Sequence, residues 1–393
     1  MWLFLPCRGA FAFAPVVSRV TTPRRAVVAP SLAIASEVSS VDSVSGALFG
    51  ASLFPWLGML YFLGHPKTKA PSGVVFGLWF LLVFVFGSIP AAIASDRLFS
   101  AQLADVDWLH GAAESVLAIT NCVVVFGFRD ALARRRSDFS IAWPAVGLAL
   151  ATALWHAANS DPQHAPWIGG GSWYPSEPAN ALSLATWVIH TSSLVEWLVA
   201  MGLCWTYARA TNVPQYKGLV WGMLPLHTSG IVACTYHLFF NSATWCVVVQ
   251  ALFTCIGNTT MAYAAYRLAI AQGWTPDDAL DGPFFSSRQE EAPVVVVVVV
   301  PPTARPSSAG TALVGWEDLG DAWGEDTARA FLVKLGGLSV GSALLVKALP
   351  ALLPFQTLIA ADPVALDVAT AALILGPTAL NVAKWRQRSS AED

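Results

Sequence analysis

The sequence predicts an all-α protein, a polytopic transmembrane helical bundle of about nine spans. Composition, the length of the apolar runs and the regular placement of basic residues predict it. The chain is 55% hydrophobic and 12% charged, with 17 Trp, whereas an ordinary soluble domain carries about a quarter charged residues. So much apolar surface with so few charges cannot all be hidden in one globular core, and lipid is the economical solvent. The runs approach the roughly 20 residues that a helix needs to cross a bilayer, and they are too long for barrel strands.

The first 40 residues stand apart. Residues 1–36 contain Arg8, Arg19, Arg24 and Arg25, several Ser and Thr, and no acid before Glu37. That is the make-up of a transit peptide. The apolar start "MWLFLPCRGAFAFAP" precedes it. A signal-like start followed by "AFAP" looks like the two-part presequence of algae with complex plastids, in which an aromatic residue (here Phe11) gates entry. An ordinary unstructured tail is the alternative. Residues 1–40 are set aside as a presequence.

Four apolar stretches follow, 46–63, 74–94, 108–128 and 141–157, forming an N-terminal membrane domain over 45–160. Three more, 182–206, 219–240 and 244–268, form a second membrane domain over 180–270. Residues 271–330 are acidic and Pro-rich, with "PVVVVVVVPP" in the middle. Seven Val are too few to span, so this is a low-complexity stromal linker. A two-span hairpin, 331–350 and 364–380, closes the chain within 331–393.

Orientation follows from Lys and Arg. Lys67 and Lys69, Arg129 with Arg134 to Arg136, Arg209 with Lys217, and the tail Lys384, Arg386 and Arg388 fall in alternate loops. The intervening loops hold only Arg97. This alternation places the mature N-terminus on the translocated side and the C-terminus in the stroma. Trp108, Trp143, Trp187 and Trp245 at segment edges suit an aromatic belt, with ordinary packing as the alternative. A net charge of −3 argues against a nucleic-acid partner. The six Cys include no CxxC pair, and five lie in apolar segments, so they read as small hydrophobes and not as a disulfide framework or zinc ribbon.

Three spans hold the candidate intramembrane polar cluster. His110 and Glu114 lie at i, i+4 on one helix face, with Asn121 further along the same stripe. His190 and Glu196 lie in "TWVIHTSSLVEW", and His227 and His237 in "PLHTSGIVACTYHLFFN". At ~1.5 Å per residue, His110 and His237 fall within roughly a turn of the translocated face, and Glu114 and His190 roughly 10 Å in. Glu196 and His227 fall near the midplane, roughly 18 Å from that face. Equal depth therefore pairs Glu196 with His227 and His190 with Glu114. An unpaired acid there would cost about 2.5 kcal/mol or more. Either the set binds a cofactor or passes protons, or it forms buried pairs that fix helix register, helped by Ser192, Ser193, Thr228 and Ser229. His156 also ends its span on the translocated side. Several His at one level can ligate haem or a metal, but no spacing such as HxxxH is specific for either.

The stretch 180–270, with its Trp/His/Glu pattern through "SLATWVIHTSSLVEWLVAMGLCWTYARATNVPQYKG", resembles the plastid and cyanobacterial family named after hypothetical chloroplast reading frame forty-nine. The stretch 45–130, with "SLFPWLGMLYFLG" and "DVDWLHGAAESVLAITNCVVVFGF", resembles a second plastid membrane family of unknown function. His190, Glu196, His227, His237 and Asn241 sit in the first match, and His110, Glu114 and Asn121 in the second. The resemblance implies a membrane protein of a photosynthetic lineage and supplies no reaction.

No Walker loop, dinucleotide fingerprint or nucleophile elbow stands out, so nothing in the sequence marks an enzyme. The leading expectation is a plastid membrane protein, in thylakoid or inner envelope, that serves as an assembly or stabilising partner of photosynthetic membrane complexes. The alternatives are a membrane redox protein with His-ligated haem or metal or a quinone site, and a proton-coupled transporter.

Overall fold

A computed structural model describes residues 32–135, 142–159, 177–178, 180–284, 315–324, 326–352 and 362–392. Most of the stretch read as a presequence, most of the 157–182 loop and most of the stretch read as a linker, including its Val run, lie outside the described residues, as does the side chain of His156. Among the described residues every regular element is helical. The α-helices are α1 (Leu32–Gly64), α2 (Ser72–Phe99), α3 (Asp107–Leu132), α4 (Ala142–Asn159), α5 (Leu184–Thr211), α6 (Gln215–Leu238), α7 (Trp245–Ala271), α8 (Leu319–Gly324), α9 (Ala328–Leu352) and α10 (Pro363–Ser390).

A long helix stands at each of the nine expected positions. Seven are long and apolar enough to cross a membrane: α2, α3, α5, α7 and α10, with α1 over Ser43–Gly64 and α9 over Ala328–Pro350. The other two depart from that standard for different reasons. α4 is a shorter apolar helix. α6 is long enough, but its His, Thr, Ser and Tyr residues lower its mean hydropathy.

Local chemistry sets several ends. Ser183 caps α5 by accepting from the Thr186 N–H at 3.3 Å, and Asn212 stops it in the left-handed region at φ 55°. Asp362 caps α10 with Pro363 at the first helical position. Pro55, Pro90, Pro225, Pro350 and Pro377 lie inside helices. Such prolines are tolerated in membrane helices because neighbouring groups satisfy the freed carbonyls.

α5 is the most enclosed helix, packed by α3, α6, α8 and α9. Val199, Ala200, Met201, Leu203, Cys204 and Trp205 on it are fully buried. α7 bridges α6 to α1, and α2 lies along α3. The last two long helices pack on different partners, α9 against α5 and α10 against α6. Outward-facing Phe54, Phe86, Leu148, Tyr263 and Leu345 are exposed, which suits contact with lipid.

Ion pairs gather at the end of the bundle where the basic loops lie. Arg209 and Arg388 both reach Asp321, at 2.9 and 2.7 Å, and Lys217 reaches Glu392 at 2.8 Å. Residues 316–324, inside the stretch read as linker, are helical, and the α8 part seats on α5. Lys67 pairs with Asp278 at 2.7 Å. Hydrogen bonds from Lys67 and Thr275 hold the Asp278 carboxyl at about 2, below its ordinary 3.8. This tie therefore contributes fully above pH 3.8 and is lost as the pH falls through about 2.

Small residues let helices approach where no hydrophobic force drives them together. A Cβ at Gly127 would stand 2.5 Å from the backbone of Gly73 and Val74, at the α2–α3 crossing. Both obstacles are main chain, so the helices would have to separate. Gly127→Val should lower thermal stability in detergent by about 1–3 kcal/mol. Gly147→Ala on α4, with nothing within 4 Å of its added Cβ, should be tolerated. An unchanged melting temperature for Gly127→Val would contradict this crossing.

Candidate functional site: a buried three-histidine centre

α3 and α5 begin, and α6 ends, at the same end of the bundle. His110 lies in the first turn of α3, His190 in the second turn of α5 and His237 in the last turn of α6. The three imidazoles meet there. Their ring centroids are 5.0, 4.9 and 5.0 Å apart, and one ligating nitrogen from each lies within 4.8 Å of the others. His110 Nε2 and His190 Nε2 stand 2.9 Å apart. All three side chains are buried, at 8, 6 and 5% exposure.

Two short connections, 100–106 and 239–244, lie at this end, beside residues 180–183 that lead into α5. After α6 the chain turns back through Phe240 and Asn241, both left-handed at φ 51° and 61°. Asn is among the residues that tolerate this region best. The turn brings Asn241 Oδ1 to 2.9 Å from His237 Nδ1. Asn241 Nδ2 donates to Asp105 Oδ1 at 2.7 Å and to the Ala104 carbonyl at 3.3 Å. Asn180 donates to the same Asp105 oxygen at 3.3 Å and to the Phe240 carbonyl at 2.9 Å. Asp107 accepts from the Ser183 N–H at 2.8 Å. Beyond His237, the buried Lys347 of α9 pairs with Glu177 and donates to the Leu182 carbonyl.

A second polar group lies further along the α3–α5 contact. Cys122 Sγ donates to Glu196 Oε1 at 3.2 Å, and Asn121 Nδ2 donates to the Ser193 carbonyl at 3.5 Å. Asn121 and Ser192 also face the Glu196 carboxyl. Glu196 Oε2 and Ser193 Oγ are buried and lack a hydrogen-bond partner among the described residues.

Both pairings expected from depth are therefore corrected. Glu196 meets Cys122 of α3, and His227 meets Asn381 of α10, Nδ1 to Nδ2 at 3.2 Å. His190 turns to His110 and His237, and Glu114 stands half-buried beside Cys234 of α6. Depth fixes height along a helix but not the direction in which a side chain leaves it. His227 faces α10, a helix whose position the local sequence does not reveal. Sequence reasoning gave no part in the cluster to Asp105, Asn180, Cys122 or Asn381. The Asp-bearing short turn just before His110 was the available signal for Asp105.

Glu196 and His227 share no hydrogen-bonding partner among the described residues. The costs of Glu196→Ala and His227→Ala should add within about 0.5 kcal/mol in thermal unfolding in detergent, whereas His227→Ala and Asn381→Ala should couple. Coupling in the first pair would contradict the assigned partners.

Comparison with known proteins bears on which family carries this centre. Two family models match, both described as proteins of unknown function: DUF3593 over residues 45–133 and DUF2499 over residues 181–267. A Ycf49-like protein of Synechocystis sp. is 45% identical over 89 residues, covering 22% of this chain and 86% of that protein. An uncharacterised protein, ycf49, of Cyanophora paradoxa is 28% identical over 87 residues, covering 22% of this chain and 85% of that protein. No solved structure matches the chain. His110 falls within the first matched region, and His190 and His237 within the second, so the centre draws on both. The chain belongs to the Ycf49-like family.

Proposed function

We propose that this protein works in a photosynthetic membrane, in the thylakoid or the inner envelope of a plastid, and that its buried polar seam between α3, α5 and α6 handles protons or electrons. The observation that carries this reading is the clustering of polar groups in three packed helices: buried His110, His190 and His237 at one end, and buried Asn121 and Glu196 with half-buried Cys122 further in. Ionisable groups at membrane depth are costly and mark functional sites by default. Among the described residues Glu196 Oε2 and Ser193 Oγ have no hydrogen-bond partner, which leaves this part of the seam room for a further polar group. That favours the redox or proton-handling reading over a purely mechanical assembly partner. The Arg- and Ser-bearing, acid-free start of the chain and the cyanobacterial and Cyanophora relatives support the location.

The test is to separate function from stability in cells whose native copy has been removed. Glu196→Gln and His110→Phe should accumulate in the membrane and keep near-normal melting in detergent, yet fail to restore photosynthetic electron transport. Full restoration by stably folded variants would reduce the seam to a structural role.

A further inference from the structure

Each neutral imidazole carries one N–H and one lone pair. The Ala104 carbonyl and the Asp105 carboxylate both take hydrogen bonds from Asn241 Nδ2, so that atom is the amide nitrogen and Oδ1 is the oxygen facing His237. An amide oxygen only accepts, so His237 carries its proton on Nδ1. Its lone pair is then on Nε2, the nitrogen left open to a ligand. His110 Nε2 and His190 Nε2, 2.9 Å apart, can hold at most one proton between them. The three Nε2 atoms therefore carry at most one proton and at least two lone pairs in a buried setting, which is the condition a cation satisfies.

We propose that His110, His190 and His237 bind one divalent transition-metal ion of borderline softness, zinc being the type, with a fourth coordination position open. This rests on the seam being the working part of the molecule and adds the identity of what it holds. Three imidazoles without a carboxylate suit zinc, copper, nickel or iron, and not magnesium or calcium. Zn–N bonds of ~2.0–2.1 Å in tetrahedral geometry set ligand nitrogens ~3.3 Å apart. The triad has one such separation at 2.9 Å and all within 4.8 Å, so small side-chain adjustments reach that geometry. A porphyrin cannot enter between two axial nitrogens 2.9 Å apart, so His110 and His190 are not the two axial ligands of a haem. Asn241 and Asp105 form the outer layer of the site: they fix which His237 nitrogen is free and hold the ring in place. Asp105, one hydrogen-bonded residue away from His237 through Asn241, also places an acid near the triad that favours an arriving cation.

The full-length chain, purified in detergent and stripped by a chelator, should take up about one Co2+ or Zn2+ per chain on dialysis. The Co2+ form should show visible ligand-field absorption. His190→Ala and His237→Ala should lose this stoichiometric metal, and Asn241→Ala should weaken binding roughly 10–100-fold. His190→Cys guards against misfolding, because it should keep Co2+ and gain a thiolate-to-cobalt charge-transfer band. Absence of stoichiometric metal in wild-type chain that is folded by circular dichroism overturns the proposal. So does binding that survives every triad substitution with an unchanged spectrum. If the chain takes no metal while seam variants still fail to restore electron transport, this inference falls and the reading of the seam stands. Metal binding with full restoration by those variants gives the reverse.

Discussion

The enclosure of α5 is the constraint on which the rest of the structure depends. α3, α6, α8 and α9 pack around it, and its stretch Val199–Trp205 is almost wholly buried. A helix so enclosed has little direct access to lipid or water, so most polar groups on it meet a neighbouring helix, Glu196 Oε2 and Ser193 Oγ being exceptions among the described residues. Thr191 finds the Ser339 carbonyl of α9 at 2.9 Å, and Trp197 finds the Met223 carbonyl of α6 at 3.2 Å. Glu196 finds Cys122 of α3, and His190 finds His110 and His237. The close Gly202–Gly320 approach brings α8 onto the same helix and with it Asp321, which gathers Arg209 and Arg388. One helix thereby organises both a charged end and a histidine end.

The fold was legible because bilayer physics acts on long segments. Runs of about 20 apolar residues leave few alternatives to helix, and a helix stands wherever such a run was read. What the sequence left open was lateral arrangement. Nothing in a single sequence says that α10 lies against α6 and α9 against α5, and so Asn381 as the partner of His227 was out of reach. The His-bearing spans themselves were legible, because His110, His190 and His237 stand out in apolar surroundings. Their convergence was only half legible: depth put His110 and His237 at one level, but set His190 about a turn too deep and gave it to Glu114. The turn through Phe240 and Asn241 and the 3-10 turn at Leu103–Asp105 draw the ends of α6 and α3 together, and such connections are not resolved by counting residues along a helix.

The two ends of the bundle differ in electrostatic character. At one, Arg209, Lys217 and Arg388 share Asp321 and Glu392 in a network that runs from half-exposed Arg209 to buried Arg388, and its outer contacts each contribute little alone and are screened by salt. At the other, Asn241 accepts from an imidazole that is nearly out of solvent, and Asp105, which also accepts from Asn180, holds Asn241 in place. Polar groups with so little water around them hold a ring in one orientation and one tautomer. The first end ties helices together, whereas the second prepares a nitrogen lone pair.

The central claim is that residues from three helices and two matched family regions converge on one buried centre able to hold a metal ion. X-ray absorption at the metal edge of the zinc-loaded chain tests it most directly. The account predicts a first shell dominated by nitrogen at ~2.0–2.1 Å, with the multiple-scattering pattern of three imidazoles. A shell of oxygen or sulfur donors, or one with a single imidazole, would contradict it.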